Sequence, residues 1–98
     1  MEIAFEDIVL EQLEADAKFD AGHPPAIVKA FRKRMQFIRS AIDERDFRLM
    51  RSLNFERLKG ERSHQYSMRL NDQWRLIVEL HGEAPKKTVV VVSMEDYH

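Results

Sequence analysis

The 98-residue sequence contains no cysteine, three glycines, three prolines and one tryptophan. Without cysteine, disulfides, thiolate nucleophiles and cysteine-ligated zinc are excluded, and a reducing cytoplasm suits the chain. No apolar stretch approaches the ~20 residues that a helix needs to cross a bilayer. The first twenty residues carry Glu2, Glu6, Asp7, Glu11 and Glu14, the wrong charge for a secretory leader. The histidines His23, His64, His81 and His98 lie 41, 17 and 17 residues apart and match no metal-ligand spacing. Neither a metal nor a cofactor is therefore expected. Internal repeats and low-complexity segments are also missing. The expectation is one soluble, cytoplasmic domain spanning 1–98, with a modest core.

What is present is charge, and it is segregated. The formal net charge is −1. Residues 1–22 nevertheless hold seven acids against one base, Lys18, whereas residues 29–75 hold thirteen bases against six acids. Local fields of opposite sign follow from such a distribution. The acidic and basic faces offer two docking surfaces of opposite charge, and the basic middle of the chain is compatible with a phosphate-bearing partner.

The apolar pattern divides the chain in two. Met1 to Phe5 reads as a short strand or a lead-in, and Asp7 to Lys18 as a helix burying Ile8, Leu13 and Ala17, with Glu11 and Glu14 outside. Gly22, Pro24 and Pro25 interrupt it, and Pro25 can open the next helix. Ala26 to Ile42 carries Ile27, Phe31, Met35, Ile38 and Ile42 as one stripe, with Lys29, Arg32, Lys33 and Arg39 on the other face. Asp43 to Met50 reads as a short helix or an irregular turn. From Gln65 onward the period becomes two: strands are expected over Gln65–Leu70, Trp74–Leu80 and Lys87–Met94, with turns at 71–73 and 81–87. The fold class is α+β, with N-terminal helices packed on a small, mainly antiparallel sheet.

Three groups in the second half carry candidate chemistry. Gly60 permits a turn that lets Lys59 and Arg62 meet a phosphate. Arg69 and Arg75 flank the Asn71-Asp72-Gln73 turn and are expected opposite each other across the ladder, where like charges repel unless an anion or acid intervenes. Asp96, Tyr97 and His98 bring a carboxylate, a phenol and an imidazole to the rim of the sheet, and imidazole exchanges protons near neutral pH. Cations beside a titratable pair are what phosphodiester chemistry requires.

The strings Leu58-Lys59-Gly60-Glu61-Arg62, Tyr66-Ser67-Met68-Arg69, Gln73-Trp74-Arg75-Leu76 and Glu95-Asp96-Tyr97-His98 together resemble the HigB branch of the RelE/ParE toxins. The resemblance covers residues from about 53 to 98; the first half shares only its helix–helix layout. It implies a microbial ribonuclease-like fold, a toxin of a type II toxin–antitoxin system that cuts messenger RNA at the ribosome, and a HigA-like helix-turn-helix antitoxin as partner. It further implies that Lys59 and Arg75 stabilise phosphate charge and that Asp96, Tyr97 and His98 surround the scissile bond. Arg57, Arg62 and Arg69 are then further RNA contacts. Glu56 stands where some members carry histidine, and serves either as general base or as an orienting group. Two other readings remain: a non-enzymatic, ParE-like inhibitor of DNA gyrase, and an inactivated relative kept as a binding module.

Overall fold

The computed structural model describes residues 1–84 and 86–96. Strand β1 (Glu2–Phe5) leads into helices α1 (Ile8–Ala15), α2 (Pro25–Ser40) and α3 (Arg45–Leu49). Strands β2 (Glu56–Arg57), β3 (Tyr66–Arg69), β4 (Trp74–His81) and β5 (Thr88–Asp96) follow, with 3₁₀ turns at Arg51–Leu53 and Gly60–Arg62.

Helix α1 starts where the Asp7 carboxylate accepts from the Val9 amide at 2.9 Å, as an N-cap should. It is shorter than the pattern suggests. The Asp16 side chain takes the Lys18 amide at 2.9 Å, so the chain turns at Asp16. Leu10 and Leu13 set the buried face, while Ile8 and Ala17, both expected inside, are exposed. Arg32 on α2 then caps the end of α1. Its guanidinium donates to the carbonyls of Leu13 (3.0 Å) in the last turn of α1 and of Asp16 (2.9 Å) and Phe19 (2.8 Å) in the segment that follows, adding to the satisfaction of the helix terminus. Arg39 grips both Glu14 oxygens at 2.6 and 2.7 Å. Two of the four basic residues on the polar face of α2 thus fasten the helical hairpin.

Helix α2 begins at Pro25 and buries Ile27, Phe31, Met35 and Ile38 as its period requires. Ile42, the expected fifth member of the stripe, is exposed, because the backbone leaves the helix at Ala41 (ψ 142°). The buried stripe packs with Met68, Leu76, Val78, Val89 and Val91 of the sheet. Full burial of one such side chain is worth about 1.5–3 kcal/mol. Rings continue from this layer toward β3: Phe37 and Phe47 are 6.0 Å apart, Phe47 and Phe55 5.4 Å, and Phe55 stacks on Tyr66 at 4.8 Å.

The sheet has five strands in the order β1-β5-β4-β3-β2. The expected meander is its centre. To it are added β1, pairing in parallel with β5, and the two-residue β2, pairing antiparallel with β3. A bulge interrupts the β4–β5 ladder: Ile77 faces Ser93 and Val78 faces Val91, so Val92 is the extra residue. Before the bulge Val89 and Val91 point to the helices. After it Met94 packs on the same core, and Ser93 and Glu95 therefore take the opposite face. On that helix-free face Ser67, Arg75, Ile77 and Val90 are buried without belonging to the core under the helices.

Candidate active site

The β3–β4 hairpin puts Arg69 directly opposite Arg75, as its three-residue turn dictates. Local acids and acceptors answer the expected repulsion. Arg69 pairs with Asp72 in the turn. Arg75, only 6% exposed, donates from Nη2 to Ser67 Oγ at 2.7 Å and to the Asn54 carbonyl at 2.8 Å. Asn54 ends a 3₁₀ turn in the left-handed region (φ 49°), a conformation asparagine tolerates better than most residues. Its amide, oriented by its hydrogen-bond network, donates to Glu56 Oε1 at 2.9 Å and accepts from Arg75 Nη1 at 3.3 Å. Glu56 on β2 faces Ser67 in register, so Glu56, Asn54, Ser67 and Arg75 form one connected group on the helix-free face.

Glu95 occupies the register position across from Arg75 on the other side. Arg62 grips it with two bonds, 2.9 and 2.6 Å, and Ser93 Oγ adds a third at 2.9 Å. The Arg62 hydrogen bonds hold the Glu95 carboxyl below its ordinary range, against the opposing effect of burial. Lys59 is exposed at the entry to the Gly60–Arg62 turn and has no ion pair among the described residues. Gly60 adopts φ 67°, which gives this turn its positive-φ step beside open space.

The remaining expected site residues are distributed differently. Arg57 lies on the helix-side face, its guanidinium 5.3 Å over the Tyr66 ring and bonded to the Tyr66 hydroxyl at 2.8 Å. Asp96 pairs with Trp74 in the ladder, one step from the face of Arg75, and its Oδ2 accepts from Gln73 Nε2 at 2.9 Å. Tyr97 and His98 lie outside the described residues. Sequence reasoning missed Glu95, Ser67 and Asn54 as site residues. The Arg69–Arg75 register could have located Ser67 on the arginine face of β3, but nothing local announces the bulge that turns Glu95 toward Arg75.

Chemically, the face presents a fixed guanidinium and two carboxylates around one patch of sheet, and Lys59 adds an exposed ammonium at the entry to the turn that carries Arg62. A positioned guanidinium can take oxygens of a tetrahedral or phosphoryl centre, and lysine adds a point charge. A family profile, the HigB-like toxins, described as the RelE-like toxin of the type II toxin–antitoxin system HigB, matches residues 3–98. The chain belongs to this family. The match extends the resemblance beyond the second half of the chain to nearly all of it.

Toxin HigB-1 of Vibrio cholerae serotype O1 (strain ATCC 39315 / El Tor Inaba N16961) is 33% identical over 79 residues, covering 81% of this chain and 83% of that protein. Among solved structures, a YoeB/ParE toxin from Agrobacterium tumefaciens superposes with a TM-score of 0.60 at 15% identity, over 100% of both chains. A YoeB–YefM complex from Staphylococcus aureus gives 0.60 at 20% identity, over 100% of this chain and 97% of the other. The HigB-like toxin thus has the RelE-like fold, with the Arg75 group on the sheet face that the helices leave uncovered. No helix of the described residues is long and apolar enough to cross a membrane.

Proposed function

We propose that this HigB-like toxin is an endoribonuclease that cuts messenger RNA at the ribosome, in the cytoplasm and without a metal ion. In this reading a ribose 2′-oxygen attacks the adjacent phosphorus and the 5′-oxygen leaves, giving a 2′,3′-cyclic phosphate and a 5′-hydroxyl. Arg75 and Lys59 neutralise the charge that builds on the phosphorane. Arg62 and Arg69 extend the cationic track for RNA, with Arg57 at its edge. Asp96, Tyr97 and His98 are assigned the proton transfers, with His98 as the acid for the leaving oxygen. Glu56 serves as an orienting group, which the Asn54 amide bridge to Arg75 favours over a free general base.

The observation that carries the reading is the preorganised Arg75, buried and held by Ser67 and Asn54 beside two carboxylates on a helix-free face. Such a group costs no reorganisation when charge develops beside it. An RNA substrate is consistent with family membership, and the YoeB–YefM complex among the structural neighbours supports an antitoxin partner; a HigA-like helix-turn-helix protein is the partner proposed.

Induction of the toxin in bacteria, followed by mapping of RNA 5′ ends, should reveal discrete cuts inside translated frames. Translation arrest with no new RNA ends would refute the reading. A supercoiling assay separates it from gyrase inhibition, since an RNA-cutting toxin leaves gyrase activity unchanged.

A further inference from the structure

Beyond Arg62 the hydrogen bonds of the helix-free face continue to the far end of β4. Arg62 Nε donates to Gln65 Oε1 at 2.9 Å, and Gln65 Nε2 donates to Glu79 Oε2 at 3.0 Å. Two histidines turn toward the same carboxylate. His81 Nε2 lies 2.8 Å from Glu79 Oε1, and His64 Nε2 lies 3.7 Å from Oε2. The Glu79 side chain is 14% exposed, whereas those of His64 and His81 are 62% and 57% exposed. Hydrogen bonds from Gln65 and His81 also keep the Glu79 carboxyl below its ordinary range.

The fold builds this cluster deliberately from separate segments. His64 and Gln65 come from the turn before β3, while Glu79 and His81 come from the end of β4. Arg75 and Glu79 are four residues apart on one face of β4, or roughly 13 Å at the usual strand rise. A single strand of nucleic acid held by one phosphate at Arg75 and running along β4 reaches the cluster within a nucleotide or two. Glu79 holds His81 by a hydrogen bond, His64 lies within ion-pair reach of the same carboxylate, and both imidazole side chains are more than half exposed. This arrangement suits unstacked bases, which proteins commonly hold on aromatic and imidazole planes.

We infer that His64 and His81, oriented by Glu79, form a nucleobase-stacking subsite for the RNA beside the cleaved phosphodiester. The inference rests on the endoribonuclease reading above and deepens it by assigning a source of sequence context. The Arg62–Gln65 bridge couples the subsite to Glu95, so the spacing between the stacked base and the reacting phosphate is set by hydrogen-bonded side chains. Removing one base-stacking partner weakens binding by roughly 5- to 150-fold in comparable cases.

Two measurements test it. In the first, RNA 5′ ends are mapped for the parent and for a His64→Ala/His81→Ala variant. Both histidines are exposed, so the variant should fold. Its cuts should be fewer and show an altered nucleotide preference within two positions of the cleaved bond. Unaltered frequency and preference would overturn the subsite. In the second, the imidazole carbon-bound proton resonances of His64 and His81 are followed by NMR during addition of a short, uncleavable 2′-O-methyl oligoribonucleotide. Saturable upfield shifts that inorganic phosphate does not reproduce support stacking, and equal shifts with phosphate alone overturn it. If the parent makes no cuts yet the oligonucleotide shifts both rings, the nuclease reading falls and the nucleotide subsite stands. If neither occurs, both fall.

Discussion

Replacing Arg75 by lysine tests the centre of the site. The guanidinium spans two partners at once, reaching Ser67 Oγ at 2.7 Å and the Asn54 carbonyl at 2.8 Å from a position only 6% exposed. Lysine carries the same charge on one compact ammonium and cannot reproduce the planar fork. Two consequences separate. Leaving a buried acceptor without its bond costs about 1–3 kcal/mol, which in a domain of this size lowers the melting temperature by roughly 4–20 °C. Loss of a donor aimed at a developing oxyanion costs about 10²–10³ in rate. Assayed well below the melting temperature of the variant, Arg75→Lys should therefore lose RNA cleavage by two to three orders of magnitude while retaining ribosome binding. Ser67→Ala serves as the control. It removes one partner of Arg75, so it should lower the melting temperature by a few degrees and cleavage far less. Cleavage by Arg75→Lys within a few-fold of the parent would refute the reasoning and leave Arg75 a structural residue of the sheet.

The remaining expectations concern other parts of the molecule. Glu95 is held below its ordinary pKa chiefly by Arg62, so its stabilising contribution is complete above the unfolded carboxyl value near ~4.3 and disappears as pH falls through the lower folded value. Urea midpoints measured from pH 7 down to pH 2 should consequently fall less steeply for Glu95→Gln than for the parent. Glu14 is engaged by Arg39, whereas Glu11 on the same helix is exposed, so Glu14→Lys should cost about 1 kcal/mol in thermal melts and Glu11→Lys almost nothing. Glu11→Lys is then the informative probe of antitoxin docking, and unchanged affinity by titration would exclude the acidic face of α1. His98→Ala should abolish toxicity in growth assays while retaining antitoxin binding in a pull-down; full RNA cleavage by that variant would move the acid role to Glu56 or Lys59.

Much of the molecule is legible in local sequence because the forces that shape it are local. The stripe from Ile27 to Ile38 repeats with the period of a helix, and α2 follows it. Asn71-Asp72-Gln73 closes a hairpin whose length sets the register, so Arg69 meets Arg75 without any knowledge of the rest of the chain. The motifs around Lys59, Arg75 and Asp96 likewise point to the family that the match over residues 3–98 establishes. The ends of elements are less readable. Ile42 continues the apolar spacing yet is exposed, because the chain must leave α2 to reach α3.

Longer-range pairing decides the remainder. The parallel partner of β1 lies more than eighty positions away, and no periodicity in Glu2–Phe5 reveals it. The face of the last strand is the sharpest case. Uninterrupted alternation from Val89 and Val91 sends Glu95 toward the helices and Asp96 toward Arg75. One extra residue at Val92 inverts that outcome, bringing Glu95 to the arginine face and Asp96 beside Trp74. Residue types thus suffice to nominate a cation and a carboxylate. Which carboxylate shares its face depends on a bulge set by the packing of the whole sheet, because a one-residue shift in a strand of period two reverses every side chain beyond it.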